Sequence, residues 1–434
     1  MMKTFKMGGL HPPGNKISAG KPVEYVDLPG KVVIPLNQHI GTPAVAVVSK
    51  GDKVKVGTLI GRAEGRISAN VHASVSGTVT KVDNFTDGSG YSCQSIFIDV
   101  KGDEWEPAIS QNNALERECR LSPEEIVARI GNAGIVGMGG ATFPTQVKLT
   151  PPRDAKAEVL IVNASECEPY LTADHAMMLE KPEHILTGIT ILMKALNISR
   201  AVIGVENNKA DAIELLKKYL PQYQGIEILT LRVKYPQGSE KQLIESVTKR
   251  RVKSGQLPVS VGAIVVNVSS VFAVYEAVQK NKPLIDRVVA VSGKALPNPS
   301  NLYARIGTPI QNLIDRAGGI PENTAKIVNG GPMMGNALSN LEAPVTKGCT
   351  GIILLAEKET LRRQEYDCIR CTQCLVVCPM GLDPTLLMDL VKYKMWDEVK
   401  SNHVADCIEC GCCSYICPSN RPLLDYIRLG KFRR

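Results

Sequence analysis

The chain has 434 residues, enough at roughly 150 residues per domain for about three domains with buried cores, which excludes a single small module. Hydrophobic residues make up 44%, charged residues 22% and aromatics 5%, a balance that excludes disordered and collagen-like structure. The net charge of +8 arises from 51 basic and 43 acidic residues spread along the chain, so no basic stripe invites nucleic acid.

The opening MMKTFKMGGLHPPGNK has no apolar run of signal-peptide length before Gly8 and Gly9. The longest apolar stretch, Val259 to Val278, is broken by Asn267, Ser269, Ser270 and Glu276. A cytoplasmic chain without a transmembrane segment is expected. From about 43 to 100, short runs of Val, Ile, Gly and Ser separated by Gly and Asp turns read as a small all-β domain. The phrases VSKGDKVKVGTLIG and ANVHASVSGTVTKV resemble the biotinyl or lipoyl carrier fold. Between the half-repeats, AEGRISANVHAS has no lysine to bear a prosthetic arm, so the resemblance is of fold only. His72 in this stretch is read as structural.

From about 122 the pattern alternates. SPEEIVARIGNAG, HAMMLEKPEHILTGITILMKAL, NNKADAIELLKKYL, GSEKQLIESVTKR and SSVFAVYEAVQK read as helices, with EVLIVN, AVIGV, IEILTLRV and AIVVNV as strands between them. Alternation of this kind implies a mostly parallel sheet covered by helices, with ligands at the carboxyl ends of the strands. Those ends are Asn163 to Glu168, Glu206 to Asn208, Tyr235 to Glu240 and Asn267 to Ser270. The run Gly134, Gly137, Gly139, Gly140 lacks the six-residue dinucleotide fingerprint and follows a helix. It is either an anion cradle, with Lys148 supplying charge, or a tight turn against the sheet. After Asp286, two strands, a turn and a short helix suggest a compact β-grasp-type module. Two basic clusters read as solvated faces, with an anionic lipid surface or an acidic partner as the alternative: Lys249, Arg250, Arg251, Lys253, and Lys431, Arg433, Arg434 around Phe432.

Nine of the thirteen cysteines fall in the last 67 residues. Cys368, Cys371, Cys374, Cys378 and Pro379 have the spacing C-x2-C-x2-C-x3-C-P, and Cys407, Cys410, Cys413, Cys417 and Pro418 repeat it. This is the pattern of a two-cluster 4Fe-4S ferredoxin, whose fourth cysteine ligates the other cluster. One expected ligand set is Cys368, Cys371, Cys374 and Cys417, and the other Cys407, Cys410, Cys413 and Cys378. A zinc ribbon would not need a doubled four-cysteine run ending in Pro. Cys412 is off the repeat's phase and is taken as a bystander. Leu386, Leu387, Leu390, Val391 and Met395 recur at helical spacing, so a helix over Asp383 to Val399 is expected to link the cluster loops.

The phrases GMGGATFPTQVK, VNASECEPY, YPQGSEKQL and VVNVSS stand in the order and approximate spacing of the FMN- and NADH-binding subunit of respiratory complex I and its relatives. With FKMGGLHPPGNK, the carrier-like β domain, NGGPMMG and the doubled cysteine motif, the whole chain resembles the RnfC family, which belongs to Rnf complexes, membrane-bound ion-translocating ferredoxin:NAD+ oxidoreductases. The resemblance implies an α/β multidomain chain. Residues 1–112 would be a barrel-sandwich (lipoyl-like) domain, 113–284 a Rossmann-like FMN/NADH domain, 285–360 an SLBB β-grasp module and 361–434 a helical two-cluster ferredoxin-type domain.

It implies that Gly137, Gly139, Gly140 and Lys148 cradle the FMN phosphate and ribityl chain, that Asn163, Glu166, Tyr235, Gly238 and Asn267 line the flavin, that Glu168 and Glu240 meet NAD(H), and that Phe143 stacks on its adenine. Glu168 is the residue expected to act at the hydride exchange. Partners would be the ferredoxin-accepting and membrane flavin subunits of an Rnf complex, with this chain peripheral on the cytoplasmic face of the membrane. Met138, Ser165 and Ser239 stand where complex I usually has Arg, Asp and Glu, leaving fewer charges near the flavin to tune it. Cys167, between Glu166 and Glu168, is expected to be redox-inactive. The alternatives are a cobalamin reductase-like flavin and iron-sulfur protein, or a non-flavin electron-wiring subunit.

Overall fold

The computed structural model describes residues 2–152, 154–361 and 363–433; Arg434 of the terminal basic cluster lies outside them. The all-β region is a sandwich of two antiparallel sheets. One holds Lys31–Pro35, Ser92–Val100, Gly77–Thr86 and Lys53–Val54, the other Val45–Ala46, Leu59–Arg62 and Val71–His72. Alternate residues such as Val32 and Ile34, or Ile96 and Ile98, turn inward and are buried, as the two-residue period of a strand requires. His72 is buried in this sandwich, and burial, with Lys347 nearby, pushes its imidazole down to about 3.

The alternating region is a parallel sheet in the order Ile226–Leu231, Ala201–Glu206, Val159–Ala164, Ala263–Asn267. Both faces are covered: Leu160 and Val162 join the core beneath the helices Pro182–Leu196 and Val268–Gln279, while Val159 and Ile161 pack against Glu240–Thr248. The chain leaves the Val159–Ala164 strand toward one neighbour and returns on its other side, so the strand order reverses between it and Ala263–Asn267. There Asn163 pairs with Asn267, and such a switch point opens a crevice at the strand ends. The expected single helix through His175 and Leu196 is two, Ala173–Glu180 and Pro182–Leu196. Pro182 has no N–H to continue the first helix and is suited to start the second.

The fourth sheet, of six strands, contains Asp286–Ser292, Ser300–Arg305, Gly351–Ala356, Thr324–Asn329 and Asn336–Ala337, with Ile310–Arg316 as its helix. Its edge strand, Val23–Tyr25, lies parallel to Ser300–Arg305 and comes from the chain's first thirty residues. In the last region the segment expected as one helix is again two, Pro384–Lys392 and Trp396–Ser401. Lys394 takes a left-handed φ of 59°, and the Met395 N–H turns back to the Leu390 carbonyl at 2.9 Å, a C-terminal stop.

One buried lysine ties three modules together. Lys347 is 1% exposed, and its ammonium donates to the Asn70 carbonyl of the sandwich at 2.6 Å and to the Gly134 carbonyl beside the glycine-rich run at 2.8 Å. Its own N–H donates to Gln38 Oε1 at 3.0 Å, and its carbonyl accepts from Arg287. Burial pulls Lys347 down to about 7 from 10.5. Between those values the unfolded chain binds a proton that the native chain does not, so this group's contribution to stability rises with pH. Relative to Lys347→Met, the parent chain should gain ~1–3 kcal/mol of unfolding free energy between about pH 7 and about pH 10. Urea unfolding of both chains at the two pH values measures it, and an unchanged difference would mean that Lys347 keeps its ordinary value.

Candidate cofactor cavity and cluster loops

At the carboxyl ends of the parallel strands lies a cavity of about 1040 Å³, room for more than one cofactor-sized ligand. All twelve residues expected at the flavin and nucleotide line it: Gly137, Gly139, Gly140, Phe143, Lys148, Asn163, Glu166, Glu168, Tyr235, Gly238, Glu240 and Asn267. Asn267 caps the helix Val268–Gln279, its Oδ1 accepting from the Ser269 and Ser270 N–H groups, while its Nδ2 donates to Asp174 at 2.7 Å. Asn163 Nδ2 donates to the Gly238 carbonyl at 2.7 Å. Glu166, at φ 45°, accepts from the N–H groups of Asp174 and His175 at the start of Ala173–Glu180, so its carboxylate is occupied by a helix N-terminus. Lys148 donates to Glu240 at 2.6 Å and to the Val265 carbonyl at 3.0 Å, pairing two residues expected to serve different ligands.

Glycines floor the cavity where a side chain would fill it. A Cβ on Gly139 would come within 3.3 Å of Asn267, and one on Gly238 within 3.4 Å of Asn163 and Cys167. A Cβ on Gly331 would lie 2.2 Å from Glu168 Oε2. This glycine-lined slot with convergent amides and a lysine fits a planar ring carrying a phosphate arm. Glu168 is a carboxylate strongly altered by its surroundings. Burial pushes it up to about 7, against the pull of the Met333 N–H at 3.1 Å. Asp174 is held up at about 6 by burial and by Glu166.

The cavity has walls that no local pattern announced. The sandwich contributes Asn37, Gln38, Ile40 and Arg66, and the β-grasp module Gly330, Gly331 and Met334. The Ile40 N–H reaches the Thr142 carbonyl of the glycine-rich loop at 3.4 Å. NGGPMMG was legible as a phrase, but its place opposite Glu168 was not. Asp174 carried no signal beyond its position in a helix.

Below the cavity, Tyr235 is 2% exposed; its hydroxyl donates to the Cys410 carbonyl at 2.9 Å and lies 3.5 Å from Glu168 Oε1. Cys167 packs here with Leu10, Val377, Cys410 and Cys412. Burial pushes its thiol up to about 12, and it accepts the Gly238 N–H at 3.3 Å.

The two cysteine loops repeat in backbone as well as in sequence. Left-handed residues recur at matching places: Arg370, Thr372 and Gly381 in the first, Glu409, Gly411 and Asn420 in the second. Each loop is followed at the same interval by a helix, Pro384–Lys392 and Leu423–Arg433, and these two helices pack together. Among the described residues no three His, Cys, Asp or Glu side chains converge on one point as metal ligands would. Cys378 lies near Cys407, Cys410 and Cys413 of the second run. Paired left-handed loops presenting soft thiols fit iron-sulfur clusters.

Matches to known proteins follow the same divisions. Residues 3–103 match the RnfC barrel sandwich hybrid domain, 130–276 the Nuo51 FMN-binding domain, 288–337 the SLBB domain and 360–418 the 4Fe-4S dicluster domain. The chain is 45% identical to one subunit of the proton-translocating ferredoxin:NAD(+) oxidoreductase complex of Clostridium ljungdahlii, over 93% of this chain and 88% of that one. It is 42% identical to the counterpart in the Na(+)-translocating complex of Acetobacterium woodii, over 99% and 96%, and 39% identical to that in the ion-translocating oxidoreductase complex of Rhodobacter capsulatus, over 87% and 73%. Among solved structures, an NAD+-reducing [NiFe]-hydrogenase in the H2-reduced state shares the fold at a TM-score of 0.52 and 18% identity, over 72% of this chain and 62% of that one.

If Cys378 serves the second motif's cluster, Cys378→Ser should impair that cluster while the one held by Cys368, Cys371 and Cys374 survives, with iron falling from about eight toward about four per chain. Iron analysis and electron paramagnetic resonance of the anaerobically purified chain read this. Loss of the first motif's cluster instead would rule out the crossed set.

Proposed function

The chain belongs to the RnfC family of ion-translocating ferredoxin:NAD(+) oxidoreductase complexes, and from that premise we propose that it is the NAD(H)-binding end of such a complex. An FMN-binding domain and a 4Fe-4S dicluster domain stand in one chain. FMN, when bound, supplies conversion between the two electrons of a hydride and the single electrons that 4Fe-4S clusters take. The observation that carries the reading is the junction at Tyr235, where the cavity's floor is hydrogen-bonded to the Cys410 loop.

In this reading Gly137, Gly139, Gly140 and Lys148 hold the phosphate and ribityl of FMN, and Asn163, Glu166, Tyr235, Gly238 and Asn267 line its ring. Glu168 and Glu240 receive the nucleotide, with Phe143 against its adenine. Glu168, fixed by the Met333 N–H and facing Gly331, orients the nicotinamide end. Cys368, Cys371, Cys374 and Cys417 hold one cluster, and Cys407, Cys410, Cys413 and Cys378 the other. Among the described residues no helix is long and apolar enough to cross a membrane. We place the chain peripherally on the cytoplasmic face, joined to the membrane through the ferredoxin-accepting and membrane flavin subunits.

The test is anaerobic purification, iron and flavin quantification, and titration with NADH while flavin and cluster absorbance are followed. About eight irons and one FMN, all bleached by NADH, are expected; eight irons with no flavin and no bleaching would overturn the NAD(H) assignment. Glu168→Gln should raise the KM for NADH about tenfold while iron, flavin and the cluster spectra stay as in the parent.

A further inference from the structure

The segment Lys3–Lys21 belongs to neither sheet of the sandwich that follows it. It runs across three other modules, and its hydrogen bonds are spent on their loops. Lys3 bridges to Leu231 at the end of the parallel sheet's edge strand. The Leu10 and Tyr235 N–H groups and carbonyls exchange two bonds of 2.8 Å each, next to the tyrosine that reaches Cys410. The Gly9 N–H donates to the Val377 carbonyl at 2.9 Å. Gly8, at φ 64°, approaches Cys378 so closely that a Cβ would stand 2.5 Å from its carbonyl; no residue but glycine fits there without displacement.

Further on, the same segment grips the loop that carries Glu166, Cys167 and Glu168. The Lys16 ammonium donates to the Glu166 carbonyl at 2.7 Å, the Glu168 carbonyl at 2.9 Å and the Leu171 carbonyl at 2.6 Å. All three of its protons are thereby used. The Tyr170 N–H donates to the Gly14 carbonyl at 2.8 Å, and Ser18 Oγ meets Thr172 Oγ1 at 2.6 Å. The gripped loop is not one that relaxes into this shape unaided, since Glu166 and Tyr170 both have left-handed backbones, at φ 45° and 68°. Without an ammonium among them, three carbonyls would point at one another.

We propose that this segment is a strap that holds the Glu168 loop and the Cys378 loop in one rigid frame, with Lys16 and Gly8 as positioning residues for electron transfer between the cavity and the nearer cluster. The inference rests on the functional reading above. The structure accounts for the three glycines and the lysine of GGLHPPGNK by what each touches.

The full chain, loaded with FMN and iron, is compared as parent, Lys16→Met, Lys16→Arg and Gly8→Ala. Stopped-flow mixing with NADH follows flavin and cluster bleaching separately. Lys16→Met should raise the KM for flavin bleaching about tenfold, with Lys16→Arg intermediate because it keeps charge and donors. Gly8→Ala should leave flavin bleaching as in the parent and slow cluster bleaching at least about tenfold, since a misplacement of ~1 Å is costly wherever geometry sets a rate. Hydrogen exchange gives a readout independent of activity: amides of 164–172 should lose protection in Lys16→Met, and those of 375–382 in Gly8→Ala. Parent-like kinetics and protection in both variants would overturn the strap. If NADH bleaches nothing even in the parent, the NAD(H) reading fails, and the exchange data alone then decide the strap; should Lys16→Met not fold, Lys16→Arg and Gly8→Ala carry the comparison.

Discussion

The hydroxyl of Tyr235 is buried, and a buried hydroxyl must be paired. Its partner is a carbonyl of the second cysteine loop, at 2.9 Å. That requirement fixes the ferredoxin-type module against the floor of the cavity in one register, because sliding either loop would leave the hydroxyl and the carbonyl unsatisfied, at a cost of about 1–3 kcal/mol. Glu168 stands on the cavity side of this bond, and an apolar cluster of Leu10, Val377, Cys410 and Cys412 packs with the tyrosine. Two modules of unrelated construction therefore meet through a polar pin set in an apolar seal.

The other joints follow the same physics. Lys347 and Arg287 are buried basic side chains whose partners are backbone carbonyls from different modules. Lys282 sits among Glu276, Asp286 and Tyr303, linking the last helix of the parallel-sheet domain to the first strands of the β-grasp module. Removing one member of such a set leaves the remainder buried and unpaired, and that penalty, more than the strength of any single bond, keeps the modules in place. The consequence for function is a cavity whose walls come from three modules but whose shape is held as one.

Much of this was readable in the chain. The doubled cysteine spacing specifies two loops of one backbone form, because that spacing is a local geometric demand. The strand ends were also readable: a short apolar run from Val159 to Val162 is followed by the polar Asn163 at the carboxyl end of the strand. Helix continuity was overestimated twice. At Pro182 and at Lys394 the apolar spacing continues across the break, so hydrophobic periodicity could not see what a missing donor and a left-handed residue decide. Lys148 and Glu240 were assigned to separate ligands because each was read within its own phrase; only folding brings them to 2.6 Å.

By itself, then, the sequence determined what depends on neighbours in the chain: the class of each module, the cysteine loops, the glycine-rich turn and the family resemblance. The tertiary structure alone decided that Arg66 and Ile40 of the sandwich and Gly331 of the β-grasp module wall the cavity, that Tyr235 meets Cys410, and that Lys16 closes on three carbonyls about 150 residues away. The reason is that burial and hydrogen-bond satisfaction act between groups adjacent in space. A lysine's need for three acceptors is written in its chemistry, whereas the identity of those acceptors is set only when distant loops are packed together.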